Sequence, residues 1–146
     1  MTTAAIFNRQ RDQLRRDAIL SATPAQLVTM LYDRLLLDLR RAETAQEAAS
    51  WPVASENLLH AQAIIAELTA SLDTKAWDGA DNLLGIYNYV SSALVSANLH
   101  RSVDRTREAI RLLEPLQRTW HEAAAMMPAQ NQTQTAVASA GSLGVG

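Results

Sequence analysis

The chain has 146 residues, 48% of them hydrophobic, and a formal net charge of −2, which is one domain's worth of core and no basic field for nucleic acid. It has no Cys, which removes disulfides, thiol catalysis and thiolate metal sites and makes a reducing, cytoplasmic setting the expectation. No run approaches the roughly 20 apolar residues that cross a bilayer, the N-terminus lacks an apolar signal core, and five Gly, four Pro and one Phe beside abundant Ala and Leu favour a soluble, all-α chain without membrane insertion.

Residues 1–22 form the first expected element, a short amphipathic helical segment in which Ile6, Phe7 and Leu14 stand among Arg and Asp. The first long helix starts with Thr23 as N-cap and Pro24 at the first helical position, and runs to about Ala45. Pro52 marks the start of the second, which continues to about Leu72. "DTKAWDGAD" is rich in turn residues, and "NLLGIYNYVSSALVSANLH" after it forms a third helix that ends near Leu99 and tolerates Gly85. Ser102 caps a fourth, in which Pro115 is expected to bend or break the helix on its exposed side. Pro128 closes the bundle domain of residues 23–127. The tail 128–146 has no charge, aromatic residue or periodicity and is expected to be disordered.

Turning roughly 100° per residue gives each long helix one apolar stripe. The first presents Leu27, Leu31, Leu35, Leu39 and Ala42; the second, Ala54, Asn57, Leu58, Ala61, Ile64, Ile65, Leu68 and Leu72. The third presents Leu83, Ile86, Tyr87, Val90, Leu94 and Ala97, and the fourth Ala109, Ile110, Leu113, Leu116, Trp120 and Ala124. Four stripes with short connections imply an antiparallel four-helix bundle. Apolar residues remain after the stripes are filled. Met30 and Leu37 fall on a second side of the first helix, and Leu36 is expected to point nearly opposite the core. In the third helix Leu84, Val95 and Leu99 interleave with Asn88, Ser91 and Ser92, a pattern suited to a groove floor for a partner helix.

Catalytic chemistry finds no support. His60, His100 and His121 are the only histidines, Glu56 and His60 are four apart without the Glu-x-x-His pair that a di-iron bundle requires, and no nucleophile motif or phosphate loop is present. Arg101, Arg105, Arg107 and Arg111 alternate with Asp104 and Glu108, as on a solvated, ion-paired face.

"ATPAQLVTMLYDRLLLDLRRAE", "HAQAIIAELTASLD", "LLGIYNYV" and "SALVSANLHRSVDRTREAIRLLEPLQRTWHEAA", in this order and spacing, resemble the flagellar secretion chaperones of the FliS type across most of the chain. The resemblance implies a four-helix bundle that wraps the disordered C-terminal segment of flagellin on its apolar sides, prevents premature polymerisation, and is presented with its client to the export gate protein FlhA. It implies no cofactor. Tyr32 and Asp33 occupy the family's "LYD" position, and Tyr87 and Tyr89 its Tyr-x-Tyr position, with Tyr89 as the expected client contact and Tyr87 internal. Arg34 stands where many relatives carry Gly, and Ile6 and Phe7 replace the N-terminal Tyr residues expected to cap the groove.

Two other readings compete: a self-associating bundle, a weak homodimer that buries the surplus faces in itself, and a histidine phosphotransfer module acting through His60. On the stripe assignment, Leu31→Ala should cost about 2–5 kcal/mol as a core cavity, measured by urea unfolding. Leu37→Ser and Val95→Ser should leave stability intact.

Overall fold

The computed structural model describes residues 3–21 and 23–145, with side chains for 3–14 and 23–126. Five helices follow in order: α1 (Thr3–Ser21), α2 (Pro24–Glu47), α3 (Trp51–Ser71), α4 (Ala80–Leu99) and α5 (Val103–Val145). The chain divides into two compact units, one of Val28–Trp120 and one of Met1–Leu27 with His121–Gly146. In the second of these, α1 exposes Ile6, Phe7 and Leu14. Thr23 and Gln26 close a reciprocal capping box: the Gln26 N–H donates to Thr23 Oγ1 at 3.2 Å, and the Thr23 N–H to Gln26 Oε1 at 2.9 Å. The expected disordered tail, 128–146, lies outside the residues with described side chains.

Cross-helix contacts within Val28–Trp120 give the direction of each helix. Tyr32 meets Tyr87 and Gln46 meets Ala97, so α2 and α4 run parallel. Arg107 pairs with Glu43, Arg40 with Glu114, and Gln117 with Asp33, so α5 runs antiparallel to α2. Trp51 at the start of α3 lies against Arg101 just past the end of α4, which sets α3 antiparallel to α4. The four helices therefore alternate up and down around one core, built on Leu35, Leu39, Leu58, Ile65, Leu94 and Leu113.

The connections are short and capped. After α2 the Ser50 N–H reaches back to Ala45 O at 2.8 Å, and after α4 the Ser102 N–H reaches Ala97 O at 3.0 Å. Both are Schellman closures, and both place a non-glycine residue at the left-handed position, Ala49 (φ 53°) and Arg101 (φ 52°). Ser102 Oγ then accepts from the Arg105 N–H at 3.3 Å and caps α5. In the loop before α4 the half-exposed Trp77 ring folds over Gly79 so closely that a β-carbon there would lie 2.0 Å from it, so any larger residue requires that ring to move.

The structure corrects several sequence expectations. Leu36 does not point away from the core: it is 2% exposed, because α5 covers that side of α2, as the Glu43–Arg107 and Arg40–Glu114 pairs show. Tyr32 is fully buried and is a core residue rather than a surface contact. Leu31 packs only partly buried at the rim of the core, and Leu27 is exposed. Pro115 does not break α5, which continues through it. Pro115 and Arg111, whose carbonyl loses its N–H partner, both face solvent, so water can satisfy that carbonyl.

The full cavity cost therefore belongs to Leu35 or Leu39, which are 0% exposed, and not to Leu31. Leu35→Ala is expected to lower unfolding stability by about 2–5 kcal/mol. Urea titration of Leu37→Ser should give a change within about 0.5 kcal/mol, as for most surface substitutions.

Candidate partner-binding surfaces

The surplus apolar residues emerge on separate faces of the bundle. On α2, Met30 and Leu37 are 38% and 40% exposed and share its outer face with Arg34 and Arg41. Between the end of α2 and the start of α3 lies a groove of about 440 Å³ lined by Arg41, Thr44, Ala48, Val53 and Asn57. On α4, Leu84 is half-buried, whereas Asn88, Ser92, Val95 and Leu99 are exposed. By helical rotation Leu84, Asn88, Val95 and Leu99 lie toward α3, on the side where Asn98 lines a cavity together with Trp51 and Ser55 of α3.

Tyr89 lies on the other edge of α4, against α5. Its hydroxyl donates to Glu108 Oε1 at 2.5 Å, and Arg105 Nη1 donates to the same oxygen at 3.2 Å. The hydrogen bond from Tyr89, with Arg105 beside it, holds the Glu108 carboxyl below its ordinary range, while Glu108 raises the Tyr89 phenol. Tyr89 also lines a groove of about 460 Å³ with Gly85, Ile86, Glu108 and Leu112. Asp33 is exposed and accepts from Gln117 Nε2 of α5 at 2.9 Å. Ile6 and Phe7 belong to the other compact unit.

The proposed site residues thus form several surfaces rather than one. Leu84, Asn88, Val95 and Leu99 share an edge of α4, Met30 and Leu37 share the outer face of α2, and Tyr89 and Asp33 stand apart at the borders with α5. Sequence reasoning missed the exposed Val53, Leu59 and Leu112. A signal for two of them was present. Leu58–Leu59 and Leu112–Leu113 are doublets like Leu36–Leu37 and Leu83–Leu84, and in a helix two adjacent residues cannot share one narrow face.

The buried tyrosines complete the interior of this region. The Tyr32 and Tyr87 hydroxyls are 2.6 Å apart, and the Trp120 ring lies 6.5 Å from that of Tyr32. Burial, above all, raises both phenols above the ordinary range. His60 has a structural partner: its Nδ1 bonds Asp38, a fully buried carboxylate that also accepts from Arg34 Nε at 3.0 Å. Among the described residues no group of His, Cys, Asp and Glu is placed to hold a metal ion.

Comparison with known proteins gives concordant matches. The sequence pattern of the family described as flagellar protein FliS matches residues 7–127. The flagellar secretion chaperone FliS of Escherichia coli (strain K12) is 34% identical over 107 residues, 72% of this chain and 79% of that protein. Its namesake in Bacillus subtilis (strain 168) is 29% identical over 109 residues, 75% of this chain and 81% of the other. A crystal structure of a bacterial flagellar chaperone superposes with a TM-score of 0.64 at 19% identity, covering 77% of this chain and 96% of that one, which speaks for the fold.

The tyrosine pair makes a prediction about pH. Because the folded state holds both phenolic protons above the unfolded value of about 10, the pair's contribution is intact below about pH 10 and lost as pH rises beyond it. Tyr32→Phe should flatten that alkaline loss of stability in denaturant titrations. At neutral pH it should cost about 1–3 kcal/mol by leaving the Tyr87 hydroxyl without its partner.

Proposed function

The chain belongs to the FliS family of flagellar secretion chaperones, and from that premise we propose that its client is the disordered C-terminal segment of flagellin. The family is one of chaperones rather than enzymes, with a role in flagellar export. On this reading the client orders as helices on the apolar faces of the bundle, which keeps it from polymerising early, and the complex is handed to the export gate protein FlhA. The work is done in the cytoplasm; among the described residues no helix is long and apolar enough to cross a membrane.

One observation carries the reading most directly. The core is closed by its own stripes, yet Met30, Leu37, Val95 and Leu99 stay 38–74% exposed on faces of two different helices. A single rigid partner helix covers one groove, whereas a flexible segment can lay successive helices on separated faces. Such a client loses part of its interaction energy to its own ordering, so the exchange needs only preformed apolar surface and no ATP. Tyr89 and the groove beside Leu112 would offer such a segment a polar anchor next to an apolar floor.

Titration calorimetry of the whole protein with a peptide spanning the C-terminal helices of flagellin tests this. The expected result is binding with a large negative heat-capacity change, weakened roughly tenfold or more by combining Leu37→Ser with Val95→Ser at unchanged thermal stability. Absence of heat at every temperature, together with a mass that rises with protein concentration, would replace the client with a second copy of this chain.

A further inference from the structure

Where α3 begins and α4 ends, a cavity of about 410 Å³ opens between Trp51, Pro52, Ser55, Leu58, Asn98 and Arg101. That is the size of a site for one or two side chains or a small ligand. Leu58 is buried and forms an apolar floor, Trp51 is half-buried, and Arg101 is exposed at the mouth. The Arg101 guanidinium lies over the Trp51 ring, 5.0 Å from its centroid. Stacked in this way, a guanidinium keeps its planar fork of N–H donors free for a carboxylate.

Arg34, Arg40, Arg105 and Arg107 are each matched to a carboxylate, whereas Arg101, like Arg41, Arg111 and Arg118, has no ion pair among the described residues; of these unmatched cations, Arg101 is the one set over an aromatic ring at the edge of this cavity. It also occupies the left-handed position of the Schellman closure after α4, where glycine is the residue that fits without strain. Ala49 adopts the same conformation after α2, so the conformation alone marks nothing. The distinction is that the strained backbone at 101 holds an unmatched charge over an aromatic wall, in a chain whose net charge is −2.

We infer that this cavity is a docking pocket for an acidic side chain of a partner protein. The carboxylate sits on the Arg101 fork, and a flanking aliphatic residue packs on Trp51 and Leu58. A free small-molecule anion would need several convergent donors to hold it. A single fork beside apolar walls suits a carboxylate that its own chain holds in place. The inference does not rest on flagellin being the client.

The test uses the full-length chain and two short peptides, acetyl-Leu-Glu-Leu-amide and its Gln counterpart, followed by NMR at the Trp51 indole N–H, assigned with Trp51→Phe. The acidic peptide should shift that signal saturably, and the Gln peptide should bind at least roughly tenfold more weakly. Arg101→Gly should abolish the response while leaving the thermal midpoint unchanged or higher, since glycine relieves the left-handed backbone. No shift at millimolar peptide, or equal binding of both peptides, would overturn the inference. So would an unchanged response in Arg101→Gly, or a fall in its thermal midpoint, which would show that the guanidinium serves the end of α4 instead.

Discussion

A single buried carboxamide ties together three of the four helices of the bundle. Gln46, near the end of α2, donates to Ala97 O of α4 at 3.4 Å and accepts from Thr106 Oγ1 of α5 at 2.7 Å. Inside a core such a group is costly unless paired, so sliding any one helix by a turn would strand polar atoms where water cannot reach them. Asp38 does the same for the fourth helix, accepting from His60 of α3 and from Arg34 on its own helix. Among the described residues no buried side-chain polar atom is left without a partner. Apolar stripes can pack in more than one register, and these few polar contacts select one.

Once the register is set, the surface follows from it. Three helices of the bundle each carry one more leucine side by side than the core face can take. In α2, Leu35, Leu36 and Leu39 go inward and Leu37 comes out; in α3, Leu58 goes in and Leu59 comes out; in α5, Leu113 goes in and Leu112 comes out. The excess is therefore distributed around the bundle, a geometry suited to a client that wraps. Polar groups border these faces, from Asn88 and Ser92 on α4 to the Tyr89–Glu108–Arg105 network between α4 and α5.

The ends of the bundle follow a different logic. Two turns with the same hydrogen-bond pattern close α2 and α4, and neither uses the glycine that would be least strained there. The exposed ion pairs of Arg40 and Arg107 staple α5 to α2 along the outside and contribute little each in solvent. Arg101 instead stands without an ion pair over Trp51, apart from the charges that hold helices together.

Much of this architecture is written in local pattern. Thr23 with Gln26, Pro24, Pro52 and Ser102 place helix starts because capping and proline geometry act over a few residues, and the recurrence of Leu35, Leu39 and Ala42 or Leu83, Tyr87 and Leu94 marks core faces because a helix turns at a constant rate. Motif order along the chain was enough to suggest the family. The sequence could not decide the fate of residues at the edge of a stripe. Leu36 and Leu37 are adjacent and chemically identical, yet one is buried and the other 40% exposed, because α5 packs against the side of α2 that carries Leu36 and Leu37 points away from it. Tyr32 became core for the same reason, with Tyr87 and Trp120 brought to it from distant segments. The cavity at Trp51 and Arg101 likewise joins residues of two helices that only packing brings together. Periodicity determines which residues share a helix face, but burial depends on what stands opposite that face, and that is settled only when the helices pack.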